Sequence, residues 1–188
     1  AVLDLIEKHR INITLGVPSM LAAIAEEQHA NPRDTSSLQV LAHGGSPIAT
    51  EVIRRASSAF PSAQMIEVYG ATETSPLATL LGHEETLMDS VLARSCGRAV
   101  VGCNITVRDA DGNELPKGDV GEVVIAGTNI MKGYWNKPEQ TAAVLKHGGY
   151  WTGDLGYLDA EGYLFLVDRS KDMIVSGGEN VYSTEVGD

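Results

Sequence analysis

Residues 149–180 carry the sequence GYWTGDLGYLDAEGYLFLVDRSKDMIVSGGEN, in which aromatic, acidic and glycine positions are concentrated. Within it, Tyr150 to Leu158 and Tyr163 to Val167 have the aromatic-rich, period-two pattern of β-strands. The run from Asp159 to Gly162 between them is an acidic turn that ends in glycine. The sequence therefore predicts a β-hairpin that carries Thr152-Gly153-Asp154 inside its first strand.

Two features of this stretch suggest more than a hairpin. Asp154 has an acceptor-only carboxylate that suits two neighbouring hydroxyl groups, and Gly153 permits close approach of a ligand or a backbone. The charged run Asp168 to Asp172 then leads into Ser176-Gly177-Gly178, a composition typical of a joint between two bodies. Taken alone, however, an Asp on a strand is more often a surface or turn residue.

Composition limits the classes of function. The 188 residues are 43% hydrophobic, enough for one domain or two small lobes. With 14 basic and 25 acidic residues the net charge is −11, which argues against nucleic acid as a partner. No apolar run reaches the roughly 18–20 residues of a membrane-spanning helix, and the N-terminus has no signal pattern. Because two cysteines indicate neither a zinc site nor a disulfide framework, the expected location is the cytoplasm.

Two strand-turn-helix units precede the hairpin. Leu38 to Ala42 is a buried-strand pattern that opens into the turn His43 to Pro47, followed by a helical pattern. The serine and proline of this turn could cap and begin the helix, which would direct free N–H groups towards a ligand. Met65 to Val68 is the next strand, and it leads into Tyr69 to Pro76, YGATETSP. In a parallel sheet both turns would lie at the carboxyl ends of strands, where ligands bind.

The second turn contains residues suited to a nucleotide. Tyr69 could stack on a purine, Thr72 could donate its hydroxyl to a phosphate, and Glu73 offers a hard carboxylate to Mg²⁺. A tight turn with a solvated glutamate explains the same residues equally well. An ordinary βα turn likewise explains the first turn, His43 to Pro47.

From Gly97 onwards the pattern changes to short alternating runs punctuated by glycine. Cys103 to Arg108 and Glu122 to Ala126 are strand patterns, and Asp111-Gly112-Asn113 is a turn signal between them. The run MKGYWN contributes Tyr134 and Trp135, which we interpret as packing residues. The sequence thus predicts a β-rich lobe after the βα units.

The motifs TGD, DRSKDMIVSGGEN and YGATETSP together resemble the core motifs of the adenylate-forming superfamily, most closely acyl-CoA synthetases. The resemblance covers nearly the whole chain. It implies an α/β fold, with parallel βα units followed by a β-rich lobe, as part of the large N-terminal domain of such an enzyme. The implied parts are a nucleotide- and acyl-binding part at 1–95, a β-rich lobe with a ribose-binding hairpin at 96–168, a hinge at 169–172, and a stub of the C-terminal domain at 173–188.

The resemblance also implies roles for individual residues. Nucleotide binding is implied for Gly44, Gly45, Ser46, Tyr69, Gly70, Thr72, Asp154 and Arg169. Catalysis is implied for Thr72, Glu73 and Arg169, with Glu73 on the magnesium side. His43 and Gly45 would line the acyl pocket, and Lys171 would be the hinge residue.

The implied function is that of a magnesium-dependent acid–thiol ligase of fatty acid metabolism. It would use ATP to convert a carboxylic acid, expected to be a fatty acid, to an acyl-adenylate and then transfer the acyl group to CoA. Family members have a phosphate loop and a catalytic lysine that this sequence does not show, so the chain alone is expected to be inactive. The alternatives are a peptide-synthetase adenylation domain and a non-catalytic nucleotide-binding fragment. Gly177-Gly178-Glu179-Asn180 favours the acyl-CoA synthetases, although Gly187 stands where the family commonly has an acidic residue.

Overall fold

The computed structural model describes residues 1–46, 48–83, 91–169, 174–176 and 179–181, with the backbone alone for 168–169 and the last two ranges. The chain divides into two compact units. The first comprises Ala1–Tyr69 and Leu80–Arg94, and the second comprises Gly70–Thr79 and Ser95–Asp188. None of the helices in the described ranges combines the length and apolar character that a membrane crossing needs. The predicted hinge and C-terminal stub stay predictions.

The first unit alternates helices and strands. Its elements are α1 (Val2–His9), β1 (Ile13–Gly16), α2 (Pro18–Ala30), β2 (Val40–Gly44), α3 (Thr50–Ala59), β3 (Gln64–Tyr69), the last two residues of β4 (Thr79–Leu81) and a 3₁₀ turn (Val91–Arg94). Strands β1, β2 and β3 pair in parallel in that order. Parallel neighbours need crossover connections, which α2 and α3 supply. The predicted parallel βα units are confirmed.

The core of this unit lies between the sheet and its helices. Leu21 and Ala25 of α2 are four residues apart, and Ile53 and Ala56 of α3 are three apart, so each pair lies on one helix face. These faces pack with the other buried side chains of the unit, among them Leu3, Ile6, Leu38, Leu41, Phe60 and Met65. Burial of these apolar faces fixes the helices against the sheet and so positions the turns at the strand ends.

The helix after the glycine turn begins later than the sequence predicts. α3 starts at Thr50, and Ala49 at its N-cap makes no side-chain capping hydrogen bond. Ala49 has φ −70° and ψ 136°, so the backbone is still extended immediately before the helix. The prediction that Ser46 caps this helix is therefore wrong, and the free N–H groups of the helix do not lie at Ser46.

The second unit is rich in antiparallel strands. Its elements are a 3₁₀ turn (Thr72–Thr74), β5 (Arg98–Ala99), β6 (Cys103–Arg108), β7 (Gly121–Gly127), α4 (Pro138–Val144), β8 (Leu145–Lys146), β9 (Gly149–Leu158), β10 (Leu164–Arg169), β11 (Ile174–Ser176) and β12 (Glu179–Val181). The main sheet has the order β10-β9-β7-β6, β8 pairs with β9, and β11 pairs with β12. The predicted β-rich region after the βα units is confirmed.

The hairpin predicted from residues 149–180 is formed by β9 and β10. Leu158 lies opposite Leu164, and at the other end Asp154 lies opposite Arg169. Gly162 closes the turn at φ +85°, and its N–H donates to the Asp159 carbonyl at 3.1 Å. The Tyr163 N–H donates to Asp159 Oδ1 at 2.8 Å. The turn residues therefore set the register at the closed end of the hairpin, and a register shift between Leu166 and Asp168 then places Arg169 opposite Asp154.

Candidate functional site

The loop Tyr69 to Pro76 folds on itself within the second unit from Gly70 onwards. Thr72 to Thr74 form a 3₁₀ turn, and the Thr74 hydroxyl both accepts from the Ala71 N–H and donates to the Ala71 carbonyl, each at 2.9 Å. Thr74 is fully buried, whereas Thr72 is exposed and Glu73 half-buried. The turn therefore anchors itself through Thr74 and leaves Thr72 and Glu73 for other partners.

Gly70 is required by this folding, which leads to a testable prediction. A Cβ at Gly70 would lie 1.9 Å from the Pro76 carbonyl oxygen and 2.7 Å from its carbon, distances that only backbone movement could relieve. We expect Gly70→Ala to lower the free energy of unfolding by about 3 kcal/mol. Gly118→Ala is the control, because it has φ +93° but nothing within 4 Å, and should cost only about 1 kcal/mol. Equal losses in urea denaturation would contradict the close approach.

A second segment, Asn129 to Tyr134, holds this loop, and we call it the brace segment. The hydrogen bonds between them are Met131 N–H to Glu73 O (2.8 Å), Asn129 Nδ2 to Thr74 O (2.8 Å) and to Leu77 O (3.0 Å), and Ser75 Oγ to Asn129 O (2.9 Å). Because these bonds satisfy the main-chain carbonyl of Glu73 and carbonyls that follow it, they fix the backbone from Glu73 onwards.

The brace segment also contacts the side chain of Glu73. The Tyr134 hydroxyl donates to Glu73 Oε1 at 2.6 Å, and this hydrogen bond raises the pKa of Tyr134. Tyr150 of β9 is 6% exposed. Burial raises the pKa of Tyr150 to about 12, and the neighbouring Glu73, Tyr134 and Asp154 add to the rise. The structure thus gathers two carboxylates and two phenol hydroxyls into one cluster.

Asp154 is positioned by a bulge in β9. The pairing with β7 shifts register between Glu122 and Val124. At the bulge Gly153 has φ +77°, which an L-residue rarely adopts, and its N–H donates to Glu122 Oε1 at 3.0 Å. The Thr152 hydroxyl accepts from the Asp154 N–H at 3.0 Å and donates to Val123 O at 2.9 Å. Each residue of the TGD motif therefore has a local role in directing Asp154.

A separate group of polar residues lies at the carboxyl end of β2 in the first unit. A Cβ on Gly44 would lie 2.2 Å from the Val68 carbonyl oxygen, so glycine is needed where β2 passes β3. His43 is completely buried, and neither ring nitrogen has a hydrogen-bond partner among the described residues. Its Cα partner on β3 is Glu67. Burial lowers the pKa of His43 to about 4 and raises the pKa of Glu67 to about 7.

These two pKa values predict opposing effects of pH on stability. Glu67 binds its proton more tightly in the folded state than its usual value of 4.5, so its contribution to stability falls as pH rises from about 4.5 through 7. His43 binds its proton less tightly than its usual 6.5, so its contribution falls as pH drops from about 6.5 to 4. We expect Glu67→Gln to raise the free energy of unfolding above pH 7 by about 3 kcal/mol. The pH dependence that remains should be the fall in stability below about pH 6.5 that His43 causes.

Urea denaturation at pH 5 and pH 8 measures this effect. Glu26→Gln, on the exposed side of α2, is the matched control and should leave the pH dependence of the wild type unchanged. If Glu67→Gln and Glu26→Gln had the same pH profile, burial of the Glu67 carboxylate would not govern the stability of this unit.

The site residues predicted from the sequence fall into two groups. His43, Gly44, Gly45, Ser46 and Tyr69 lie in the first unit, at the carboxyl ends of β2 and β3. Gly70, Thr72, Glu73 and Asp154 lie in the second unit, where Tyr150 neighbours both Glu73 and Asp154. Lys171 and the side chain of Arg169 lie outside the described residues. The described residues hold no group of three or more His, Cys, Asp or Glu arranged for a metal ion.

Sequence analysis missed Tyr134 and Tyr150 as parts of the site. Tyr134 had been interpreted as packing, and Tyr150 only as a strand residue. The available signal was the position of each tyrosine inside a motif, Tyr134 in MKGYWN and Tyr150 two residues before TGD.

Comparison with known proteins gives a consistent result. The family of AMP-binding enzymes matches residues 1–135. A feruloyl-CoA synthase from Amycolatopsis is 38% identical over 99% of this chain and 37% of its own length. A medium/long-chain-fatty-acid–CoA ligase from Mycobacterium tuberculosis is 38% identical over 100% of this chain and 32% of its own length.

A solved structure extends the likeness to the fold. The O-succinylbenzoate coenzyme A synthetase from Bacillus subtilis, in complex with ATP and magnesium ion, superimposes with a TM-score of 0.83. It is 34% identical over 98% of this chain and 37% of that chain. The present chain therefore spans about a third of the length of these relatives, and its fold is that of a part of their N-terminal domains.

Proposed function

The chain belongs to the family of AMP-binding enzymes, and from that premise we propose that the whole protein activates a carboxylic acid with ATP and transfers the acyl group to CoA. The observation that supports this most directly is the cluster of Glu73, Tyr134, Tyr150 and Asp154. The cluster contains one carboxylate from the YGATETSP loop, Glu73, and one from the TGD motif, Asp154. A site that binds both the phosphates and the ribose of ATP needs groups of both kinds.

The reaction needs little covalent chemistry from the protein. A carboxylate oxygen of the acid attacks the α-phosphate of ATP and pyrophosphate leaves; the CoA thiol then attacks the acyl carbon and AMP leaves. Because both nucleophiles arrive with the substrates, the side chains have to position reactants and balance phosphate charge. This fits a proposed site made mainly of carboxylates, hydroxyls and glycines, with Arg169 to balance phosphate charge.

Glu73 is the residue proposed to hold Mg²⁺. The ion binds proteins through one or two carboxylates and completes its shell with water and substrate phosphates, so the single carboxylate of the YGATETSP loop fits it. When bound, Mg²⁺ would neutralise charge on the phosphates of ATP. The exposed hydroxyl of Thr72, at the start of the same turn, is proposed to donate to a phosphate oxygen.

Asp154 and Arg169 are proposed to bind the ribose and the neighbouring phosphate. Their Cα atoms are partners across the β9–β10 hairpin, although they are distant in sequence. A carboxylate that accepts from two ribose hydroxyls makes charge-assisted hydrogen bonds of roughly 1.5–3 kcal/mol each. The bulge at Gly153 directs Asp154 for this purpose.

The turn after β2 is proposed to line the nucleotide and acyl sites. Gly44, Gly45 and Ser46 would lie against the nucleotide, with Tyr69 stacked on the adenine. His43 would form a wall of the acyl pocket, and its low pKa keeps the ring neutral at pH 7. A neutral, apolar-packed wall suits the acyl part of a fatty acid or an aryl acid.

Pyrophosphate release by the whole protein tests the proposal. The protein would be incubated with ATP, Mg²⁺ and a panel that contains fatty acids, cinnamic-type acids, succinylbenzoate and amino acids. We expect release with a fatty or aryl acid, followed by formation of its CoA thioester. Release with amino acids alone, without a thioester to CoA, would instead identify a peptide-synthetase adenylation domain, and no release with any acid would overturn the proposal.

A further inference from the structure

The hydroxyl group of Tyr134 lies at Glu73, yet the reaction described above gives it no role. The Tyr134 hydroxyl donates to Glu73 Oε1 at 2.6 Å, within the range of short O–H···O⁻ bonds that are about twice as strong as neutral ones. Tyr150 is buried beside Glu73, Tyr134 and Asp154. A carboxylate with such neighbours has a restricted orientation.

Tyr134 is itself held in place by the start of α4. Its N–H donates to Thr141 Oγ1 at 2.9 Å, and the same hydroxyl donates to Lys137 O at 2.8 Å. Gly133 has φ +145°, and a Cβ there would lie 2.8 Å from Thr141 Cγ2, so the main chain passes directly over the threonine. The main chain of Tyr134 is therefore held by Thr141, which is itself held by Lys137. At the other end of the side chain, the tyrosine hydroxyl is bonded to Glu73.

The backbone of Glu73 is held by the same segment. Met131 N–H donates to Glu73 O at 2.8 Å, three residues before the tyrosine that contacts the side chain. One short segment thus fixes both the main chain and the carboxylate of Glu73. An arrangement that served packing alone would not need the hydroxyl on the carboxylate, because a phenylalanine has the same ring.

We propose that Tyr134 is a positioning residue for Glu73, whose carboxylate it orients by its hydrogen bond. The consequence for catalysis rests on the proposed function. Glu73 would present its remaining lone pairs in one direction to the magnesium side of ATP. Preorganisation of this kind supports a site without the tyrosine touching substrate.

The contact is tested independently of activity. In the whole protein, NMR of ¹³C-labelled glutamate side chains at one fixed pH reports hydrogen bonding to each carboxylate, and Glu73→Gln assigns the Glu73 signal. We expect the Glu73 carboxylate signal to move in Tyr134→Phe and to stay in place in Tyr157→Phe, because only the first variant removes the hydroxyl that donates to Oε1. A Glu73 signal that is the same in Tyr134→Phe and the wild type would overturn the direct contact.

The positioning role is tested through the magnesium requirement. Tyr134→Phe should raise the Mg²⁺ concentration for half-maximal pyrophosphate release about tenfold, the size expected for one lost hydrogen bond to a charged group, with the KM for the acid within twofold. Tyr157→Phe is the matched control, because Tyr157 lies in the same unit, on β9, and stacks on Phe165 at 5.1 Å. It should behave as the wild type.

The outcomes separate the two proposals. If the wild type releases no pyrophosphate with any acid, the proposed function fails, and the NMR comparison still decides the contact. If the wild type is active and Tyr134→Phe needs no more Mg²⁺ than Tyr157→Phe, the positioning role is wrong. Should Tyr134→Phe melt well below Tyr157→Phe, the two variants are compared at a temperature at which both stay folded, and the same difference in Mg²⁺ requirement decides.

Discussion

Glu73→Gln should lower the rate of acyl-adenylate formation by the whole protein by about 10²–10³-fold. The amide keeps the shape of the side chain, and its oxygen can still accept from the Tyr134 hydroxyl, so the turn should stay folded. What it loses is the negative charge that we propose to face Mg²⁺. Single-turnover formation of the adenylate from ATP and the preferred acid measures the loss.

Glu139→Gln provides the control for this prediction. Glu139 is exposed in the first turn of α4, and replacing it removes the same charge from the same unit without altering the cluster. We expect its adenylation rate to equal that of the wild type. A Glu73→Gln enzyme that adenylated as fast as Glu139→Gln would remove Glu73 from the site.

Lys171→Pro should separate the two half-reactions of the whole protein. Adenylation and thiol transfer need different groups around one α-phosphate, so a C-terminal domain is proposed to rotate between them about Lys171. Proline fixes φ near −65° and restricts the preceding residue, which would lock one state. We expect adenylate formation within a few-fold of the wild type and a steep loss of CoA thioester formation.

Lys171→Ala distinguishes the backbone effect from loss of the side chain. Because alanine leaves φ free, it should reduce thioester formation much less than proline does. Pyrophosphate exchange measures the first half-reaction, and chromatographic detection of the CoA thioester measures the second. Equal losses in both half-reactions, or none in either, would exclude Lys171 as the hinge.

The elements that local pattern specifies were predicted well. The hairpin of β9 and β10 follows from two period-two runs and a turn that ends in Gly162, and all of that information lies within 20 consecutive residues. The parallel βα units follow in the same way from apolar runs separated by glycine turns. The motifs within these elements were also enough to identify the family.

The start of α3 shows where local pattern misleads. A serine followed by a proline is a common beginning for a helix, but Ala49 is extended and the helix starts at Thr50. Capping preference is worth only about 1 kcal/mol, so a favourable residue pair does not by itself fix where a helix begins.

The sequence by itself determined which elements form and that Glu73 and Asp154 stand in motifs of one family, because turns, periodicity and motifs are properties of neighbouring residues. Only the tertiary structure decided that Tyr134, 61 residues away, donates to Glu73, and that Tyr150 neighbours both carboxylates. It also decided that His43 is buried beside Glu67. Such contacts depend on strand order, register and bulges, and a single sequence carries no local signal for distances between segments so far apart.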